Sequence, residues 1–92
     1  MKWEDATSYS RSDKERKPTC WRIYGGLMSV VVVFNHRDRP GEWCFHCPAL
    51  AFDAELLYDV HTEQEAKEKA LKVIELHLAR MRDTLSSMQT VT

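Results

Sequence analysis

Leu27-Met28-Ser29-Val30-Val31-Val32-Val33-Phe34 is the stretch on which the fold turns. It is the longest apolar run in the chain, and far short of the ~20 residues a membrane span requires. Four consecutive β-branched valines make it a strand. A strand with one wet face alternates apolar and polar residues. This one does not: Leu27, Ser29, Val31 and Val33 lie on one face, Met28, Val30, Val32 and Phe34 on the other. Both faces ask to be covered.

The flanks read as further strands. Cys20-Trp21-Arg22-Ile23-Tyr24 precedes the run, and Gly25-Gly26 between the two gives the positive-φ pair of a type I′ hairpin. After it comes the charged connection His36-Arg37-Asp38-Arg39-Pro40-Gly41, then a strand from Glu42 to Cys47 stopped by Pro48, and a last strand from Glu55 to Val60. Short links between consecutive strands favour an antiparallel meander. Thr62-Glu63-Gln64-Glu65 has the form of a capping box. Glu63–Lys67, Glu65–Lys69 and Glu68–Lys72 are i,i+4 pairs in the favourable order. Ala66, Ala70, Leu71, Ile74, Leu78, Met81 and Leu85 form an apolar stripe, widened by Val73, His77 and Met88. The pattern predicts a helix over about 63–85. The expected fold is α+β: a four-stranded antiparallel meander (β-β-β-β-α) with one long C-terminal helix packed on one face.

With 92 residues there is room for one core. The expected organisation is a polar N-terminal arm over 1–19, a single domain over 20–88 and a tail over 89–92, with Trp3 and Tyr9 anchoring the arm. No apolar segment follows the N-terminus, so no export signal is expected. Three cysteines then read as reduced thiols in a cytoplasmic protein, that of the host if a phage encodes it. The net charge of -1 hides a partition: +3 over residues 1–40, -6 over 41–66, +2 over 67–92.

Gly41-Glu42-Trp43-Cys44-Phe45-His46-Cys47-Pro48-Ala49-Leu50, a short strand, then Thr62-Glu63-Gln64-Glu65-Ala66-Lys67-Glu68-Lys69-Ala70-Leu71 and Ile74-Glu75-Leu76-His77-Leu78 together resemble the HicB antitoxin family over residues 27 to 80. The resemblance implies a partial RNase H-like fold without nuclease chemistry, and a toxin as partner. The sequence departs from the family after Leu50, where Ala51-Phe52-Asp53 replaces the usual Pro-Gly-Cys, and it adds the strand Cys20 to Tyr24. The opening, with Trp3, Ser8-Tyr9-Ser10-Arg11, Pro18 and Trp21, is similar to short phage and prophage proteins, many of which inhibit host complexes, anti-CRISPR proteins among them.

Enzymatic and metal readings rank lower. Cys44 and His46 share a strand face while Cys47 lies opposite, so the three do not easily share one ion, although Cys20, His36 and His61 offer further ligands. A Cys44 or Cys47 nucleophile with His36 or His61 as base has no identifiable oxyanion hole. No cofactor and no metal are expected. Arg11, Lys14, Arg16, Lys17, Arg37 and Arg39 offer phosphate or partner contacts, diluted by neighbouring acids, so nucleic acid ranks below protein as a partner. Asp53, Glu55 and Asp59 offer an acidic surface for a basic partner. Val30, Val32 and Phe34 are the expected dimer or docking face. The expected function is non-enzymatic binding of a host protein, or of a toxin, by surface contact; a small nucleic-acid-binding module is the third reading.

Overall fold

Cross-strand pairing sorts the residues into two layers. The computed structural model describes residues 2–7, 18–36 and 39–90, with the side chain of Arg39 left out. Tyr9 and the basic residues Arg11, Lys14, Arg16, Lys17 and Arg37 lie outside this set. The strands are β1 (Glu4–Asp5), β2 (Cys20–Gly25), β3 (Met28–His36), β4 (Arg39–Cys47) and β5 (Phe52–Leu57), followed by the helix α1 (Glu63–Thr90). The strands form one antiparallel sheet in chain order, β1-β2-β3-β4-β5. The α+β meander with a C-terminal helix packed on it is therefore as the pattern predicts, with one strand more.

The extra strand comes from the polar arm. Glu4 and Asp5 pair with Arg22 and Trp21 of β2. Two residues form a marginal strand, and it is held from both sides. Trp3 packs against the core. Thr7 Oγ1 accepts the amides of Thr19 (2.9 Å) and Cys20 (3.0 Å), closing the backbone around the start of β2. No hydrophobic alternation marks such a strand, so the residues alone read as arm.

The rows Trp21–Val32–Phe45 and Phe34–Trp43–Leu57 run across the sheet beneath α1. Val32, Phe45 and Cys47 are fully buried there. Above them α1 presents Ala66, Ala70 and Ile74, all buried. Two alanines let the helix backbone come close to the large side chains of the sheet, so volume lost on one layer is regained on the other. Trp21 and Trp43 rings lie 5.6 Å apart, Phe34 and Trp43 4.9 Å, and Phe45 and Phe52 5.0 Å.

The last strand sits earlier than Glu55 to Val60. Pro48–Leu50 forms a single 3-10 turn, and Ala51 in the left-handed region (φ 60) sends the chain straight back at Phe52. Asp59 (φ 57) then ends the extended run before Val60. The helix start is close to the expected box. The amide of Glu65 donates to Thr62 Oγ1 (3.2 Å), but Glu65 Oε2 accepts the amide of His61 (2.8 Å), one residue before the cap. Glu63 holds Lys67, whereas Glu68 accepts from Gln64 Nε2 instead. The helix continues through Ser86-Ser87 to Thr90, five residues past the predicted end.

The β2–β3 turn also differs from its sequence signal. Gly25 pairs with Met28, so the central residues are Gly26 and Leu27, and neither has positive φ. A side chain at Gly26 meets nothing within 4 Å. Gly41 is the glycine that uses its freedom, at φ 79, where its amide donates to Asn35 Oδ1 (2.6 Å). Gly26→Ala is therefore expected to stabilise the fold by about 0.4–1 kcal/mol through the unfolded chain. Gly41→Ala is expected to cost about 1–2 kcal/mol. Urea denaturation followed by circular dichroism checks both; equal effects at the two sites would contradict the turn geometry.

Candidate interaction surfaces

The acidic residues fall on two adjacent elements. Asp53 and Glu55 lie exposed on β5, an edge strand, and Asp59 in the turn that follows. Charges on an edge discourage another chain from pairing with it. Asp53 Oδ1 lies 3.1 Å from His46 Nδ1, and the same nitrogen lies 3.1 Å from the amide of Ala54. The amide can only donate, so it favours the His46 tautomer with its proton on Nε2. A ring with its proton on Nδ1 would instead donate to Asp53. Glu55 stands opposite Phe45, and Asp59 shares a shallow groove with Glu65, Glu68, Lys69 and Lys72. The two lysines make that groove mixed in sign.

Val30, Val32 and Phe34 are not a docking face. They lie under α1, with Val30 and Val32 at 3% and 0% exposure. The face left uncovered by α1 carries Val31 and Val33, half-buried, with Cys20, Cys44 and Leu56 in the Val33 row and Arg22 and His46 in the Val31 row. Its residues belong to the same strand and differ only in parity. Trp3 does not cover this face: Lys67 Nζ, at the start of α1, stands 5.5 Å from the ring centres of both Trp3 and Trp21. This ammonium is buried, held by Glu63 and two indole faces. Cys44 is nonetheless fully buried on the open face. Asn35, at φ 59, breaks the β3–β4 register, and the His36 ring lies 5.3 Å from that of His46. Their positions along the ladder, ten residues apart around the hairpin, would hold flat strands much farther apart. The ladder therefore curls over this face.

Among the described residues most of the exposed large hydrophobic side chains belong to α1. Its packed half ends at His77, whose ring meets Phe52 at 5.0 Å. Beyond it Leu78, Met81, Leu85 and Met88 are 38%, 50%, 54% and 66% exposed, and Leu71 is 41% exposed on the flank. The periodicity marks these residues as core. Their exposure follows from lengths: 28 residues of helix run ~42 Å, while five strands span only ~24 Å. The molecule accordingly measures 63 × 27 × 21 Å. Comparing those two lengths would have flagged the stripe from the sequence.

The thiols are shut in. Cys44 and Cys47 are fully buried. Cys20 is half-buried, and its thiol is pushed above the ordinary value of 9.0 by burial, against the pull of Arg22 and with help from Asp5. A raised thiol pKa favours the folded state at low pH and ceases to do so once the thiol ionises. Stability is therefore expected to fall as pH rises above about 9.0, and Cys20→Ala is expected to flatten that decline. Denaturation midpoints between pH 7 and 10.5 check this, and iodoacetamide should modify the folded chain more slowly than the unfolded one.

Among the described residues no group of three or more His, Cys, Asp or Glu is placed to hold a metal ion. No helix among them is long and apolar enough to cross a membrane. Comparison of the chain with protein-family models, with curated proteins and with solved structures finds no match in any of the three.

Proposed function

We propose that this chain is a non-enzymatic protein-binding module that works by surface contact. Its most concrete form is an inhibitor from a phage or other mobile element, of the anti-CRISPR type, that blocks a complex in the host cytoplasm. The observation that carries the binding reading is the projecting half of α1. Leu78, Met81, Leu85 and Met88 present a continuous apolar stripe on an element whose first half is already anchored to the sheet. Contiguous exposed apolar surface of this kind marks interaction sites. A helix held rigidly at one end loses little entropy on docking. The burial of Cys44 and Cys47 supports the non-enzymatic part, since the best candidate nucleophiles are packed inside.

The order β4, Pro48–Leu50 turn, β5, Thr62-capped helix supports a second reading, a HicB-like regulator with a toxin as partner. Both readings place protein contact first.

The test is affinity capture from bacterial lysate with the full chain, the Met81→Glu/Leu85→Glu variant, and an Asp53→Lys/Glu55→Lys/Asp59→Lys variant, each checked for its fold by circular dichroism. A protein retained by the unaltered chain, lost at least tenfold with the stripe variant and rebound as a purified component is the expected result. Identical retention by all three would overturn the assignment of binding to α1.

A further inference from the structure

The stripe on α1 has a regular spacing that narrows its occupant. Leu71, Leu78 and Leu85 recur seven residues apart, and Ile74, Met81 and Met88 form the second series, giving alternating steps of three and four from 71 to 88. This is the spacing of a two-helix coiled-coil seam. The leucine column is exposed along its whole length. Ile74, at 3% exposure, faces the chain's own sheet, so a second helix must approach from the leucine side. Met81 and Met88 border that column on one side. Glu75 and Arg82, both exposed, border it on the other.

We propose that residues 71–88 of α1 pair with the same segment of a second copy of this chain, antiparallel about a two-fold axis beside Leu78. The choice of partner comes from charge. In this alignment Leu71 lies near the partner's Leu85 and Leu78 near the partner's Leu78. Glu75 then falls beside the partner's Arg82, and the two-fold repeats the pair, so two opposite-charge contacts flank one apolar seam. A parallel pairing has neither. It would set Ala70, His77 and Thr84 against the partner's Glu75, Arg82 and Gln89, with no opposite charges across the seam. Its first layer is also blocked, because Ala70 is fully buried under the chain's own sheet. The antiparallel arrangement sends the two sheets toward opposite ends of the helix pair. The proposal rests on the reading of the projecting helix as a contact surface, and it names that surface's partner.

Size-exclusion chromatography with light scattering, between about 5 and 200 µM, tests it. The expected mass is twice the 10.8 kDa of one chain, falling to one chain for Leu78→Glu/Leu85→Glu with the circular dichroism spectrum retained. Arg82→Glu alone is expected to weaken the dimer about tenfold. The double exchange Glu75→Arg/Arg82→Glu is expected to restore it, as only the antiparallel register does. A single-chain mass at 200 µM, a dimer indifferent to the leucine variants, or no rescue by the double exchange would overturn the proposal. If the chain is monomeric and the stripe variant still loses a captured host protein, self-pairing is wrong while the binding reading stands. If neither dimer nor capture depends on the stripe, both fall.

Discussion

The close approach of α1 to the sheet through Ala66 and Ala70 is the contact on which the rest depends. The sheet face beneath is bulky, with Trp21, Val32, Trp43 and Phe45. Only small residues on the helix allow the two layers to mesh at native density. That docking selects which side of β3 becomes interior. It seats Lys67 between Trp3 and Trp21, and so ties the N-terminal strand to the helix. It also sets the angle at which the remainder of α1 leaves the body.

From that contact follows an uneven distribution of stability. The first half of α1 shares a core with β2 to β5, whereas the second half rests on helix propensity and its own hydrogen bonds. An isolated helical segment of this length is marginal in water. The large side chains it carries gain most when another surface covers them. This little-supported segment carries the exposed Leu78, Met81, Leu85 and Met88.

Much of the architecture was legible because it is written in local chemistry. The valine run with Cys20 to Tyr24 gave two strands, Pro48 a stop, and Thr62 with Glu65 a helix start. What was misplaced involved backbone conformations that residue type does not announce. Ala51 and Asp59 adopt positive φ without being glycine, and they shifted β5 by three residues. Asn35 curled the ladder so that His36 meets His46. Among the candidate contacts, Val30, Val32 and Phe34 pack in the core beneath α1.

By itself the sequence determined the order of elements, the capped helix with its i,i+4 pairs, and a β3 apolar on both sides. Local hydrogen bonding and hydrophobic periodicity act within a few residues, so they are readable along the chain. Only the tertiary structure decided that Met28, Val30, Val32 and Phe34 lie inward, that Glu4 and Asp5 add an edge strand, and that the stripe from Leu78 to Met88 stays in solvent. The reason is that a strand with two apolar faces has no inside until a helix settles on one, and a helix longer than its sheet is wide cannot bury the whole of its stripe.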